Sequence, residues 1–297
     1  MLPSRPEFVV LNGVRYHVRV WGEAGAPKLF LLHGWMDCSA SFQFLVDALD
    51  GRWQAIAPDW RGFGRSEWLG RTYWFPDYLG DLDALLARYS PDEPARLVGH
   101  SMGGNIACLY AGVRPERVGA AASLEGGGLL PVEPWQAPDR YRKWLDQIAA
   151  PRAPRRYADV SALAQRLRES NPRLSEERAV FLAREFSAPA PEGGIVAAGD
   201  AWHRTLYPVP YRLEEAKACW RRITAPVLWV RGADSSFSKM FAQREEDYRE
   251  RLACFCDLRE AVIAECGHMM QHDQPEALAS ILEEFFRATS LAKPQCR

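Results

Sequence analysis

The stretch that decides the fold reads A-R-L-V-G-H-S-M-G-G, from Ala95 to Gly104. Its first residues are typical of the end of a buried strand, and the apolar residues after Met102 are typical of a helix. Ser101 lies between the two, in the pattern G-x-S-x-G. A strand that turns directly into a helix brings the residues on either side of the turn close together, so glycines are required there. The sequence therefore predicts a serine hydroxyl at a helix N-terminus, where free N–H groups favour negative charge.

Composition narrows the class of protein. The 297 residues carry a formal net charge of −1 and are 47% hydrophobic, which is ordinary for a globular protein. Because no long run of one charge sign occurs, we expect no nucleic-acid partner. No apolar run approaches the ~18 residues of a membrane helix, and no apolar export signal is seen, so we expect a cytoplasmic protein without a membrane partner. Seven scattered cysteines without a C-x-x-C pair fit free thiols in a reducing compartment.

The order of apolar runs predicts an interrupted α/β domain. Asn12-Gly13 separates two alternating runs and predicts an antiparallel hairpin at the sheet edge. Strands and helices then alternate up to residue 125 and again from residue 218, which predicts a mostly parallel sheet covered on both faces. Between them, residues 126–217 are rich in proline and show helical patterns without a buried strand. We therefore expect a core domain of residues 1–125 and 218–297, with a helical cap at 126–217.

Polar or reactive side chains follow the predicted strands directly. In a parallel sheet the carboxyl ends of the strands share one edge, where ligands bind. We therefore expect a single site at this edge. The residues concerned are His33, Asp59, Ser101, Glu125, Asp234 and His268.

Five short motifs in this order resemble the α/β-hydrolase superfamily. They are H-G-W at 33–35, D-W-R-G-F-G-R-S at 59–66, G-H-S-M-G-G at 99–104, G-A-D at 232–234 and G-H-M-M-Q-H-D-Q-P at 267–275. The segment 165–178 and the early H-G-W-M-D are, within that superfamily, similar to the serine hydrolase-like proteins. The resemblance implies the α/β-hydrolase fold, with a mostly parallel sheet flanked by helices and a helical cap insertion.

The resemblance also implies a catalytic triad. Ser101 lies at the nucleophile position, and it needs a base because a hydroxyl is protonated at neutral pH. His268 occupies the superfamily's base position, with His272 as the alternative. Asp234 occupies the usual acid position and is preferred, although the segment G-A-D-S-S-F lacks the proline often found after it. Glu125 is the alternative acid, at the position used by haloalkane-dehalogenase-like members.

An oxyanion hole is expected from the backbone N–H groups of Trp35 and Met102. His33 and His100 are expected to be structural, as is Asp59, bracing its loop together with Arg61. Some cap aromatics should line an apolar substrate pocket while most pack in the core. These aromatics are Trp135, Tyr141, Trp144, Phe181, Phe186, Trp202, Tyr207 and Tyr211.

These features predict a serine hydrolase that cleaves a small or medium carboxylic ester through an acyl-enzyme. Carbon–carbon bond hydrolysis, perhydrolysis and lactone opening remain alternatives on the same triad, and so does a non-catalytic hydrolase-fold receptor. Epoxide hydrolase and dehalogenase chemistry are disfavoured because they use an aspartate where this chain has Ser101. No dinucleotide fingerprint, Walker loop or H-E-x-x-H occurs, so we expect no cofactor and no catalytic metal. The expected partner is a small-molecule substrate, and the expected state is a monomer or homodimer.

Overall fold

A computed structural model describes residues 1–291. Its main sheet has eight strands in the order β1-β2-β4-β3-β5-β6-β10-β11. The strands are β1 (Arg5–Leu11), β2 (Val14–Trp21), β3 (Lys28–Leu32), β4 (Gln54–Pro58), β5 (Ala95–His100), β6 (Val118–Leu124), β10 (Val227–Gly232) and β11 (Leu258–Ile263). β2 is antiparallel to β1 and β4, and all other neighbours are parallel. The predicted edge hairpin is confirmed, with positive φ at Asn12 and Gly13.

Helices cover both faces of this sheet. The core helices are α1 (Gln43–Ala48), α2 (Asp77–Tyr89), α3 (Met102–Val113), α8 (Ser236–Ala242), α9 (Glu245–Leu252), α10 (Met270–Asp273) and α11 (Pro275–Leu291). β3 illustrates how the core is divided, because successive strand side chains point to opposite faces. Leu29 and Leu31 pack with α1 and α11, whereas Phe30 and Leu32 pack with α2 and α3.

The insert, residues 126–217, differs in part from expectation. It contains α4 (Ala137–Ala149), α5 (Val160–Ser170), α6 (Glu176–Glu185), β7 (Arg156–Tyr157), β8 (Ser187–Pro189) and β9 (Ile195–Ala197). The three short strands form a small antiparallel sheet, so the insert holds strands beside its helices, although nearly all of their residues are half-buried or exposed rather than buried. They escape a search for apolar runs because each spans only two or three residues.

Two further boundaries also differ. Helix α7 (Leu213–Trp220) crosses the expected domain boundary at residue 217 and packs against α3 of the core. A Cβ on Gly112 of α3 would collide with the carbonyl of Cys219, so these two helices approach closely. The segment 237–251 contains no glycine or proline, which predicts one continuous helix, yet it forms α8 and α9 with a break at Gln243 and Arg244.

The strand order fixes where a ligand can bind. The chain runs from β3 outward to β4, then returns to place β5 on the other side of β3. Such a reversal leaves a crevice at the carboxyl ends of the two strands. The residues that follow β3 and β5, Gly34 and Ser101, lie at this crevice.

Candidate functional site

Ser101 lies at the tight turn between β5 and α3. Its backbone has φ 51° and ψ −112°, a conformation that a non-glycine residue rarely adopts. The two neighbouring glycines are required by contact, because a Cβ on Gly99 would collide with the carbonyl of Gly103, and one on Gly103 with the carbonyl of Leu32. Strain of this kind persists only where the surrounding structure imposes it. The turn therefore presents the serine at the helix N-terminus, as the sequence predicted.

His268 bonds to a buried glutamate. Its Nδ1 lies 2.6 Å from Oε2 of Glu125, whose side chain is fully buried, whereas the imidazole is 40% exposed. The other carboxylate oxygen, Oε1, accepts a hydrogen bond of 2.9 Å from the backbone N–H of Gly232. Because Nδ1 faces the carboxylate, Nε2 is the nitrogen left for a proton transfer. This is the base-and-orienter arrangement that activates a hydroxyl.

Asp234 does not pair with His268. The sequence favoured Asp234 as the partner of His268, and the structure corrects that preference. Its carboxylate accepts a hydrogen bond of 2.7 Å from Arg173 of the insert, and both side chains are nearly half exposed. The Asp234 backbone is bound to the β11–α10 loop through the carbonyl of Cys266. Asp234 comes two residues after the end of β10, whereas Glu125 follows β6 immediately and has φ 53°. That turn directs the glutamate, and not the aspartate, to the imidazole.

His100, which the sequence analysis expected to be structural, anchors the loop that carries His268. Its Nε2 donates a hydrogen bond of 2.8 Å to the backbone carbonyl of His268, and the two rings lie 4.7 Å apart. Burial, together with the charge of His268, holds the pKa of His100 well below its usual range. His100 is therefore a neutral donor that fixes the distance between the β5 turn and the β11–α10 loop. The adjacency of His100 to Ser101 was the only sequence signal for it.

The side chains described above lie around one cavity of about 200 Å³. Ser101 and His268 both line it, together with Trp35. The insert supplies most of its apolar wall, and the core supplies most of its polar groups. The remaining lining residues are Gly34, Met36, Asp37, Cys38, His100, Leu167, Ser170, Asn171, Leu174, Leu182, Phe186, Met269 and His272. Of the eight insert aromatics noted in the sequence, Phe186 alone is among them, because aliphatic leucines of α5, α6 and the turn between them form that wall.

Backbone donors are available beside Ser101. Met102 is the first residue of α3, so its N–H has no acceptor within the helix. Trp35 follows Gly34, whose position is so close that an added Cβ would lie 3.2 Å from the Ser101 Cβ. The indole of Trp35 is 52% exposed and does not pack in the core. These are the two amides that the sequence assigned to an oxyanion hole.

His33 and Asp59 line no part of the cavity wall but hydrogen-bond the loops that follow β3 and β4. His33 is buried, accepts a hydrogen bond from the Trp60 N–H at Nε2, and bonds to the Gly34 carbonyl through Nδ1. Burial lowers the pKa of His33 to about 4. Asp59 bonds to His17 and to the backbone N–H of Ser39.

Arg61, expected to brace this loop together with Asp59, pairs with the buried Asp81 and with Asp77 of α2. The brace around Asp59 is thus made by a histidine and backbone N–H groups. The buried Arg61 serves a separate contact between its loop and α2.

His272, the alternative base, also lines the cavity but has a different partner. Its Nε2 lies 2.7 Å from the Ser41 hydroxyl, and its carbonyl accepts a hydrogen bond from Arg178. Burial and the charge of Arg178 lower its pKa to about 3. Glu125 is bonded to His268, so His268 and not His272 has the carboxylate that a general base requires.

Within residues 1–291, no group of three or more histidine, cysteine, aspartate or glutamate side chains is arranged to hold a metal ion. No helix in the same range is both long and apolar enough to cross a membrane.

Comparison with known proteins agrees with the fold described above. A family model described as alpha/beta hydrolase fold matches residues 27–275. A serine hydrolase-like protein of Danio rerio is 28% identical over 282 residues, 92% of this chain and 85% of that protein. Serine hydrolase-like protein 2 of Homo sapiens is 23% identical, over 93% of this chain and 92% of that protein. A solved thioesterase domain from the curacin biosynthetic pathway is similar with a TM-score of 0.83 at 26% identity, over 95% of this chain and 99% of that one.

Proposed function

The chain belongs to the α/β-hydrolase family, and from this premise we propose that it is a serine hydrolase of small or medium carboxylic esters. The observation that carries the proposal is the 2.6 Å contact between His268 and the buried Glu125, with His268 and Ser101 on the wall of one cavity. In this proposal Ser101 is the nucleophile, His268 the base and Glu125 the acid. The insert acts as a cap that completes the substrate pocket.

The proposed reaction proceeds in two halves. Nε2 of His268 takes the proton of Ser101 as Oγ attacks the ester carbonyl, and the tetrahedral oxyanion is held by the Trp35 and Met102 amides. Ionised Glu125 stabilises the imidazolium that forms. The imidazolium then protonates the leaving alkoxide, which leaves an acyl group on Ser101. Water, deprotonated by His268, attacks that acyl group and releases the acid with the serine restored.

The size of the cavity supports a short acyl group. A volume of about 200 Å³ lies below the roughly 300–1,000 Å³ of pockets that hold drug-sized ligands. Its wall from the insert is mainly aliphatic, through Leu167, Leu174 and Leu182. We expect kcat/KM to be higher for acetyl and butyryl esters than for octanoyl esters.

The test uses short p-nitrophenyl esters with purified protein. Ser101→Ala should lower kcat by at least about 10³-fold, because the nucleophile is lost while the oxyanion donors remain. Ser170→Ala is the matched control, since this second serine lines the same cavity but donates its hydroxyl to the Arg166 carbonyl. Undiminished turnover by Ser101→Ala, or an equal loss in Ser170→Ala, would contradict the mechanism.

Thioester hydrolysis is a second candidate on the same machinery. It is favoured by the similarity of the whole chain to a thioesterase domain. The attack of Ser101 on the carbonyl is the same, and only the leaving group changes from alkoxide to thiolate. Measuring kcat/KM for a butyryl thioester and for the matching oxygen ester will show which substrate class is preferred. A higher kcat/KM for the thioester after correction for its intrinsic reactivity would make it the preferred substrate class.

A further inference from the structure

Asp37 lies on the wall of the cavity and has no part in the mechanism above. It follows Trp35 by two residues, in the loop after β3, and lines the cavity with Ser101 and His268. Its Oδ1 accepts a hydrogen bond of 2.9 Å from the Cys38 N–H. Its Oδ2 is buried and forms no hydrogen bond within residues 1–291. Of the two carboxylate oxygens, only Oδ1 thus has a donor at hydrogen-bond geometry, and the Ser41 hydroxyl is a further donor close to the group.

Fixed positive charge is missing from the same wall. No lysine or arginine lines the cavity in the part of the chain that the structure describes. The two nearby arginines of the insert are engaged outside it, Arg173 with the Asp234 carboxylate and Arg178 with the His272 carbonyl. His272 itself is buried against the Ser41 hydroxyl, and its low pKa keeps it uncharged at neutral pH.

The charge on Asp37 depends on pH. Burial raises the pKa of Asp37 to about 7, while the neighbouring Ser41 hydroxyl and Cys38 N–H lower it; the charge of Asp59 raises it and that of His268 lowers it by smaller amounts. The other titratable groups on the wall of this cavity are the Cys38 thiol beside Asp37, and His100 and His272. Above pH 7 the ionised form predominates, so an acyl chain that ends in a carboxylate would bring a second negative charge into a small, largely apolar cavity.

We infer that Asp37 is a specificity-determining residue that restricts the acyl pocket to neutral acyl groups and rejects those with a terminal carboxylate. The inference rests on the proposed function, because it assigns the charge of the acyl group that Ser101 accepts. Its physical basis is like-charge repulsion without a compensating cation, which is how a binding site excludes a wrong ligand.

The test compares two methyl esters of equal shape, methyl 4-methylpentanoate and monomethyl succinate, by methanol release. At pH 8.5 we expect the wild type to prefer the neutral ester by about 100-fold in kcat/KM, a typical effect of an opposed like charge. Asp37→Asn should reduce that preference by about tenfold or more. Asp234→Asn is the matched control, because it removes a nearby carboxylate that does not line the cavity, and it should leave the preference unchanged.

A second measurement uses the wild type alone. Lowering the pH from 8.5 to 6 protonates Asp37 while the succinate monoester stays ionised, so the preference should shrink toward that of Asp37→Asn. A preference near unity at pH 8.5, an equal change in Asp234→Asn, or a preference that does not depend on Asp37 or on pH would overturn the inference.

Binding to Ser101→Ala separates this inference from the proposed function. Calorimetry with the same two esters, which this variant should not cleave, measures the charge preference without turnover. If the wild type hydrolyses neither ester, the proposed function fails, yet weaker binding of the succinate ester that is relieved by adding Asp37→Asn to the Ser101→Ala variant would still support the role of Asp37. Equal binding of both esters would overturn that role even if both are hydrolysed.

Discussion

The ends of β6 and β10 each carry a carboxylate, and the two behave differently. Glu125, after β6, is fully buried and bonded to His268 and to the Gly232 N–H. Asp234, after β10, is nearly half exposed and paired with Arg173. The two strands are direct neighbours in the sheet, and the Glu125 N–H bonds to the Val230 carbonyl of β10. Position after a strand is therefore not enough to place a residue in the site, because the backbone turn beyond the strand decides where its side chain points.

The largest expected effect separates the two carboxylates directly. Glu125→Gln should lower kcat by about 10⁴-fold, since a neutral amide cannot stabilise the imidazolium and favours the wrong tautomer. Asp234→Asn should change kcat by less than about threefold, because it loses only an exposed ion pair. Steady-state kinetics with p-nitrophenyl butyrate measures both. A collapse in Asp234→Asn with near-normal turnover in Glu125→Gln would reverse the assignment.

The buried region should also make the protein sensitive to acid. The pKa values of the buried His33 and His272 and of the half-buried His203 are lowered to about 4, 3 and 3, and burial holds the pKa of His100 well below its usual range. Below about pH 6.5 the unfolded chain binds protons that these histidines cannot bind in the folded state. The free energy of unfolding should therefore fall by about 1.4 kcal/mol per pH unit for each of them, down to its folded pKa.

Urea unfolding at pH 7.5, 6.5, 5.5 and 5.0 measures this slope. In His203→Phe the stacking on Phe63 and Tyr73 can be kept while the ionisable group is removed. Its stability at pH 7.5 is expected to be lower, but its acid slope should be shallower by about 1.4 kcal/mol per pH unit, the contribution of one histidine. A slope identical to that of the wild type would show that His203 is not held neutral.

Glycines near the two ends of β6 allow the effect of Glu125's position to be tested separately. A Cβ on Gly126 would lie 2.6 Å from the backbone of Gly104. Gly126→Ala must therefore displace either the start of α3, next to Ser101, or the loop that carries Glu125. We expect a loss of about 1–3 kcal/mol in stability and a larger fall in kcat than in KM. Gly119→Ala near the start of β6 is the control, since its nearest neighbour would lie 3.4 Å away. Thermal unfolding and kinetics of the two variants will show whether displacing the loop that carries Glu125 lowers stability and kcat. Equal behaviour of the two variants would argue against this.

The smallest effect is expected at the exposed carboxylate. Arg173→Ala removes the ion pair with Asp234, which at this exposure contributes about 0–1 kcal/mol. The turn between α5 and α6 stays attached through the hydrogen bond from Asn171 to Asp273. We expect a change in kcat/KM of less than about threefold and weak dependence of stability on salt. A loss of activity comparable to that of Glu125→Gln would mean that the Asp234 region controls the site.

The fold was predictable because local and long-range signals agree. The turn at Ser101 requires glycines that the sequence shows, and the Asn12-Gly13 hairpin forms as its residues predict. The short strands of the insert were missed because two or three residues carry no usable period. The break between α8 and α9 was also missed, because nothing at Gln243 or Arg244 interrupts helix propensity.

The sequence was enough to predict which kinds of side chain form the candidate site, but not which carboxylate pairs with the histidine. Ser101 and His268 follow from motifs that local geometry enforces. The choice between Glu125 and Asp234 depends on the φ of 53° at Glu125 and on a contact between Asp234 and a distant arginine. Asp37 and His100 lie within the motifs H-G-W-M-D and G-H-S-M-G-G, but neither motif shows what their side chains contact. They became visible only when the loops after β3 and β5 and the loop after β11 were placed around one cavity.

The most direct test of the central claim is the rate at which a fluorophosphonate labels the protein, followed by intact mass. One adduct should form on the wild type and none on Ser101→Ala. Asp234→Asn should be labelled as fast as the wild type, and Glu125→Gln at least about 100-fold more slowly. Labelling of Ser101→Ala, or an unchanged rate in Glu125→Gln, would contradict a serine activated by the histidine–glutamate pair.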